Sequence, residues 1–128
     1  MPLELHLLVW SVALAFILVL IAVSGATLQV GLPKLAGNRE GLADCTGWAG
    51  RAQRAHRNLL ENLILFAVLV LVAQATGRLN AMTALGAQIF FWARVAHPVI
   101  YIAGVPYLRT LAWGVSVVGL VMIFLQVI

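Results

Sequence analysis

Residues 51–75, RAQRAHRNLLENLILFAVLVLVAQA, decide how this chain is read, because a polar, charged head runs without a break into an apolar tail. Together they are somewhat longer than the roughly 20 residues a helix needs to cross a bilayer. The head holds Arg51, Arg54, Arg57, Asn58, Glu61 and Asn62. An ionisable group inside a membrane segment costs roughly 2.5 to 3.5 kcal/mol on insertion scales, so several on one helix call for a polar ligand or partner.

The rest of the chain supports a membrane setting. Hydrophobic residues make up 63% of it and charged residues 9%, against roughly 45 to 50% and about 25% in ordinary soluble domains. A water-soluble domain of 128 residues leaves a large share of its surface exposed and could not cover that much apolar side chain. Three further apolar segments run from about Leu5 to Leu28, Ala81 to Tyr101 and Tyr107 to Ile128. They are long and lack two-residue alternation, which favours helices over strands, and helices satisfy their own backbone in lipid. The connections Gly77 to Asn80 and Ile102 to Pro106 are short and force antiparallel neighbours. The expected fold is an all-α, up-down four-helix transmembrane bundle, one domain over residues 1–128. The long connection from Gln29 to Gly50 is expected to be broken by Gly31, Pro33, Gly37, Gly41, Gly47 and Gly50.

Met1 to His6 carries no lysine or arginine, and the apolar run after it outlasts the usual 7 to 15 residues of a signal peptide, so it is read as a retained span. Seven of the basic residues, Lys34, Arg39, Arg51, Arg54, Arg57, Arg94 and Arg109, fall in or towards the first and third connections. Only Arg78 belongs to the other side. The positive-inside tendency places the long connection in the cytoplasm and both termini outside. Alanine-rich, arginine-over-lysine usage suggests a bacterial source, hence the cytoplasmic membrane. The net charge of +4 is the same basic excess and implies no nucleic-acid partner. A lone Cys45 has no intramolecular disulfide partner and is read as a small filler residue. Trp48 suits a membrane boundary, and no metal site is expected.

Helical geometry gathers the polar residues. At about 100° per residue, with Arg54 at zero, Arg51 falls near +60°, Arg57 near −60°, Asn58 near +40°, Glu61 near −20° and Asn62 near +80°, while His56 points near 200°. Arg94, His97 and Tyr101 recur at i, i+3 and i+7 in the third span, and Arg109, Trp113 and Ser116 at i, i+4 and i+7 in the fourth, again one stripe each. All three stripes occupy the cytoplasmic leaflet. They are expected to line one cationic cavity around a buried Glu61, a setting that attracts an anion and suits bidentate arginine contacts. The alternative is that the same groups only join helices or, for Arg51 and Arg109, snorkel to the interface. A transport pathway is disfavoured, since Val68, Leu71 and Val72 close the route below the cluster.

RAHRNLLEN, Arg54 to Asn62, resembles the second-helix pattern of the membrane-associated proteins in eicosanoid and glutathione metabolism, the MAPEG family. RVAHPVIY, Arg94 to Tyr101, is similar to its third-helix pattern. With the size and four spans, the resemblance covers nearly the whole chain. It implies a homotrimer that binds glutathione between subunits, with Arg54, Arg57, Asn58 and Glu61 holding the tripeptide and Arg94, His97 and Tyr101 adding contacts. It also implies that Arg109 activates the thiol and acts as the catalytic residue. Two departures stand out. Gln29, Val30, Gly31 and Leu32 occupy the region where many members carry a first-helix arginine, leaving Lys34 as the nearest basic residue. Trp113 stands near the place of an aromatic hydroxyl. The leading expectation is a glutathione-dependent transferase or peroxidase acting on lipophilic electrophiles, and the alternative is a non-catalytic lipid-binding or scaffold protein of the same fold.

Overall fold

The computed structural model describes residues 1–42 and 44–128 and is helical throughout its regular structure. Its elements are α1 (Leu3–Gln29), α2 (Leu32–Ala36), α3 (Gly47–Ala75), α4 (Ala81–Ala103) and α5 (Pro106–Val127). Among the described residues α1, α3 and α5 are long and apolar enough to cross a membrane. α4 is 23 residues long but carries Thr83, Gln88, Arg94 and His97, so the fourth expected span does not stand on apolarity. The long first connection is more ordered than expected: Pro33 sits in the first turn of α2, where its missing N–H would have no helical partner anyway.

Contacts between ends fix the directions. Asn80, before α4, donates from Nδ2 to Oε1 of Gln126 near the end of α5, at 2.8 Å. At the other end Nε of Arg51 donates to the Ile102 carbonyl at 2.9 Å, joining the start of α3 to the last turn of α4. α4 is therefore antiparallel to both. α1 runs parallel to α4, since the Thr83 hydroxyl donates to Oε2 of Glu4 at 2.6 Å. α3 and α4 form the central pair: α1 and α5 each pack on both of them.

Side-chain size sets how closely these helices approach. A Cβ on Gly119 would lie 2.5 Å from the Gly86 carbonyl oxygen, and one on Gly86 would lie 2.8 Å from that of Gly119. Only two glycines allow α4 and α5 to meet there. Gly25 permits a similar approach of α1 to Ala49, beside the small buried side chains of Ala26 and Cys45. Larger residues fill the opposite half of the bundle, where Phe66 stacks on Phe90 with ring centroids 4.2 Å apart and Leu7, Val70, Leu120 and Ile123 close around them.

Gln29 does not act as a free polar group at the end of α1. Its Nε2 donates to the Thr46 carbonyl at 2.7 Å and its Oε1 accepts from the Thr46 N–H at 2.9 Å. This clasp holds the far ends of the first connection together and presents α3 to α1.

Candidate functional site

The start of α3, the end of α4 and the start of α5 meet at one end of the bundle. There Asn58, His97, Tyr101, Arg109, Thr110 and Trp113 line an open cavity of about 230 Å³. The three stripes expected from spacing each contribute, so the structure brings together Asn58 from α3, His97 and Tyr101 from α4, and Arg109 from α5. Thr110 was not singled out by the sequence reading. Its position immediately after a first-turn arginine was the available signal.

The cations are held by aromatic rings and amides. The Arg109 guanidinium carbon lies 4.4 Å from the centroid of the Tyr101 ring, and that of Arg54 approaches the same ring at 6.0 Å. A cation over a ring face is attracted by the ring quadrupole, more strongly where water is excluded. Tyr101 in turn meets His97 edge-on, with centroids 5.5 Å apart. Arg109 thus lies over Tyr101 in the lining of the cavity.

Behind this wall Arg94 is 0% exposed and does not itself line the cavity. Its Nη2 donates to Oδ1 of Asn58 at 2.7 Å, whereas Nε and Nη1 are buried without a hydrogen-bond partner, as is Nδ1 of His97. Asn62 braces the same asparagine, its Nδ2 donating to the Asn58 carbonyl at 2.8 Å and more distantly to Oδ1 at 3.4 Å. Pro98 lies inside α4 and has no N–H for the Arg94 carbonyl, so the helix is locally short of a backbone bond beside the site.

The α3 polar face is placed differently from the expectation of a buried Glu61. Arg54, Arg57 and Glu61 are exposed, and Asn58 is only partly covered. The buried stripe of α3 includes Ala52, Ala55, Leu59 and Phe66, centred roughly 130° from Arg54 at about 100° per residue, with Asn62 as its one member from the polar face. Small and apolar side chains take most of the inward position, and Asn58, turned from Arg54 towards that side, is the member of the polar stripe that lines the cavity. Arg57 instead joins His56, Gln53, Arg39 and Asp44 at a second depression, about 480 Å³, whose apolar wall comes from α1 and α2. Lys34 is exposed on α2, and Arg51 is engaged by the Ile102 carbonyl.

An apolar groove of about 490 Å³ lies between α3 and α5, with Asn62 and Trp113 at its polar end and Leu65, Leu69, Leu120 and Phe124 along it. Trp113 is common to the groove and the polar cavity. Its indole forms a flat divider between a cationic and a hydrocarbon-like compartment.

No curated protein and no solved structure gives a significant match to the chain. The family model described as "MAPEG family" matches residues 7–128. That match spans all four long helices and the whole polar end of the bundle, and the chain therefore belongs to the MAPEG family of membrane proteins in eicosanoid and glutathione metabolism.

Proposed function

We propose that this protein is a four-span, trimeric membrane enzyme that binds glutathione and transfers its sulfur to lipophilic electrophiles, or uses it to reduce lipid hydroperoxides. The observation that carries this reading is Arg109, Tyr101, His97 and Thr110 around one cavity that adjoins an apolar groove at Trp113. Glutathione presents two carboxylates, an ammonium and a thiol. Arg54, Arg57, Asn58 and Glu61 offer cations for the carboxylates, an amide for the peptide and an anion for the amine.

Cavity size favours a site completed by a second protomer. At about 230 Å³ it falls below the roughly 300 to 1,000 Å³ of most ligand pockets. Arg54, Arg57 and Glu61 on the open face of α3 would be costly against lipid, and a neighbouring protomer over that face would both cover them and enlarge the site. Burial of α4 within such an assembly also allows it to cross despite its polar residues.

Arg109, in the cavity lining, would favour the thiolate of a glutathione held there. A thiol with a pKa near the free value of about 8.5 is mostly protonated at neutral pH, and a nearby guanidinium stabilises the anion. Each unit of depression is worth about 1.4 kcal/mol. The thiolate sulfur then forms a thioether bond to an electrophilic carbon in the groove, and the displaced group departs with the bonding electron pair. Two glutathiones reducing a hydroperoxide would instead yield glutathione disulfide, an alcohol and water.

Calorimetric titration of the purified protein in detergent with millimolar glutathione tests the binding step. Saturable heat in the wild type, strongly reduced in Glu61→Gln, is the expected result; no heat and no thermal stabilisation would sink the reading. Arg109→Ala should retain glutathione binding but slow conjugation of a model electrophile at least tenfold. Unchanged conjugation would remove Arg109 from thiol activation.

A second reading draws on the apolar groove being larger than the polar cavity: a non-catalytic lipid-binding protein. Thermal stabilisation by fatty acid alone, with neither glutathione binding nor turnover, would favour it.

A further inference from the structure

The polar cavity is lined by one carboxamide, whose hydrogen-bonding sense is not set by its own chemistry. Asn58 could offer its ligand either a carbonyl oxygen or an amide nitrogen, and a carboxamide flip exchanges the two. A guanidinium has donors only. The Asn58 atom facing Nη2 of Arg94, 2.7 Å away, must therefore be Oδ1. The Asn62 amide also points a donor towards that oxygen, at 3.4 Å. Among the described residues Nδ2 of Asn58 makes no hydrogen bond, and Asn58 lines the cavity.

We propose that Arg94 is a positioning residue that locks Asn58 with its amide nitrogen towards the cavity, making this wall a donor that selects a carbonyl or carboxylate oxygen on the ligand. The inference rests on the glutathione reading for the identity of that ligand, but the lock itself does not. Arg94 is well suited to the role because it is fully buried and cannot leave for solvent. Its charge disfavours the flipped rotamer, which would set two donors against each other. Arg109 is likewise donor-only, so the two sides of the cavity have the same sense. An acceptor-rich group is admitted between them, and an ammonium is turned away towards the open α3 face where Glu61 lies.

The lock can be read without any ligand. Asn58→Asp supplies an acceptor to Arg94 in either orientation and adds a counter-charge, so it should raise the melting temperature of the unliganded protein. The increase should vanish in the Arg94→Gln background. An equal increase in both backgrounds, or none in the wild-type background, would overturn the lock. Selectivity is read by titrating glutathione. Asn58→Asp turns an acceptor-only oxygen to the cavity and should weaken glutathione at least tenfold while remaining folded. Arg94→Gln should weaken it several-fold when residue 58 is Asn and not further when residue 58 is Ala. Equal losses in both backgrounds would make Arg94 a direct ligand contact and defeat the proposal. Failure of wild-type protein to bind glutathione would refute the proposed ligand, whereas the ligand-free melting cycle would still decide whether the lock exists.

Discussion

Two glycines of α5, five residues apart, are expected to respond to the same substitution with opposite signs. Gly119→Ala places a methyl 2.5 Å from the Gly86 carbonyl oxygen, 2.8 Å from the Phe90 nitrogen and 3.2 Å from the Phe90 Cβ. Two of those atoms are helix backbone, so α4 and α5 must separate. Overpacking of this kind costs typically about 1 to 3 kcal/mol, offset by the roughly 0.5 to 1 kcal/mol that alanine gains over glycine within a helix. Gly114→Ala meets nothing within 4 Å and retains only the helical gain. The two variants should therefore differ by about 1 to 3 kcal/mol, that is, several-fold to a hundredfold or more in folding equilibrium. Denaturant unfolding of purified protein in detergent, followed by helical circular dichroism, measures both. Gly119→Ala as stable as Gly114→Ala would refute the close α4–α5 crossing. Because that helix pair also carries His97, Tyr101 and Arg109, Gly119→Ala should weaken glutathione binding as well.

Thr83→Val removes the hydroxyl that donates to the buried Glu4 carboxylate and completes the Asn80 capping box; the same unfolding assay should show a loss of about 1.5 to 3 kcal/mol, the usual size for a hydrogen bond to a charged group. Gln29→Ala breaks both bonds to Thr46, and hydrogen exchange should rise across residues 30–42 while the Phe66 and Phe90 region stays protected. Arg94→Met removes a buried guanidinium with two unpaired nitrogens but also the 2.7 Å donor to Oδ1 of Asn58, so stability should change by no more than about 1 kcal/mol as the two effects offset each other. Its glutathione affinity, measured by calorimetry, should nevertheless fall.

The helices were legible because apolar length is a local property. The spans expected from about Leu5, Arg51, Ala81 and Tyr107 lie within a few residues of the starts of α1, α3, α4 and α5. The direction in which α3 turns its polar stripe was not local. A helical wheel relates Arg54 to Glu61, but it cannot say which side α1, α4 and α5 will cover. Ala52, Ala55 and Leu59 decide that question by permitting close packing, and the charged stripe is left facing outward. The Glu4–Thr83 bond was hidden for a similar reason, since its partners are separated by 79 positions in sequence. Gly86 and Gly119 looked like ordinary small residues in apolar helices until their carbonyls were placed opposite one another.

The two ends of the bundle use polar groups in different ways, and this contrast bears on whether the arginine cluster only joins helices. At the α4 start, Glu4, Thr83, Asn80 and Gln126 form a linked set: the carboxylate accepts from a hydroxyl, that hydroxyl accepts from a backbone N–H, and two amides pair. At the α4 end, Arg94 keeps two buried nitrogens without a partner and His97 keeps one. Leaving buried donors unpaired costs about 1 to 3 kcal/mol each, more when charged. A cluster serving only cohesion would be expected to resemble the first end, where an acid faces the donor. The second end instead leaves two guanidinium donors of Arg94 unpaired behind an open cavity lined by Asn58, His97, Tyr101 and Arg109. Arg94 lies out of a ligand's reach, so an anion in that cavity would meet Asn58 and Arg109 directly and offset the buried charge of Arg94 only through the wall between them.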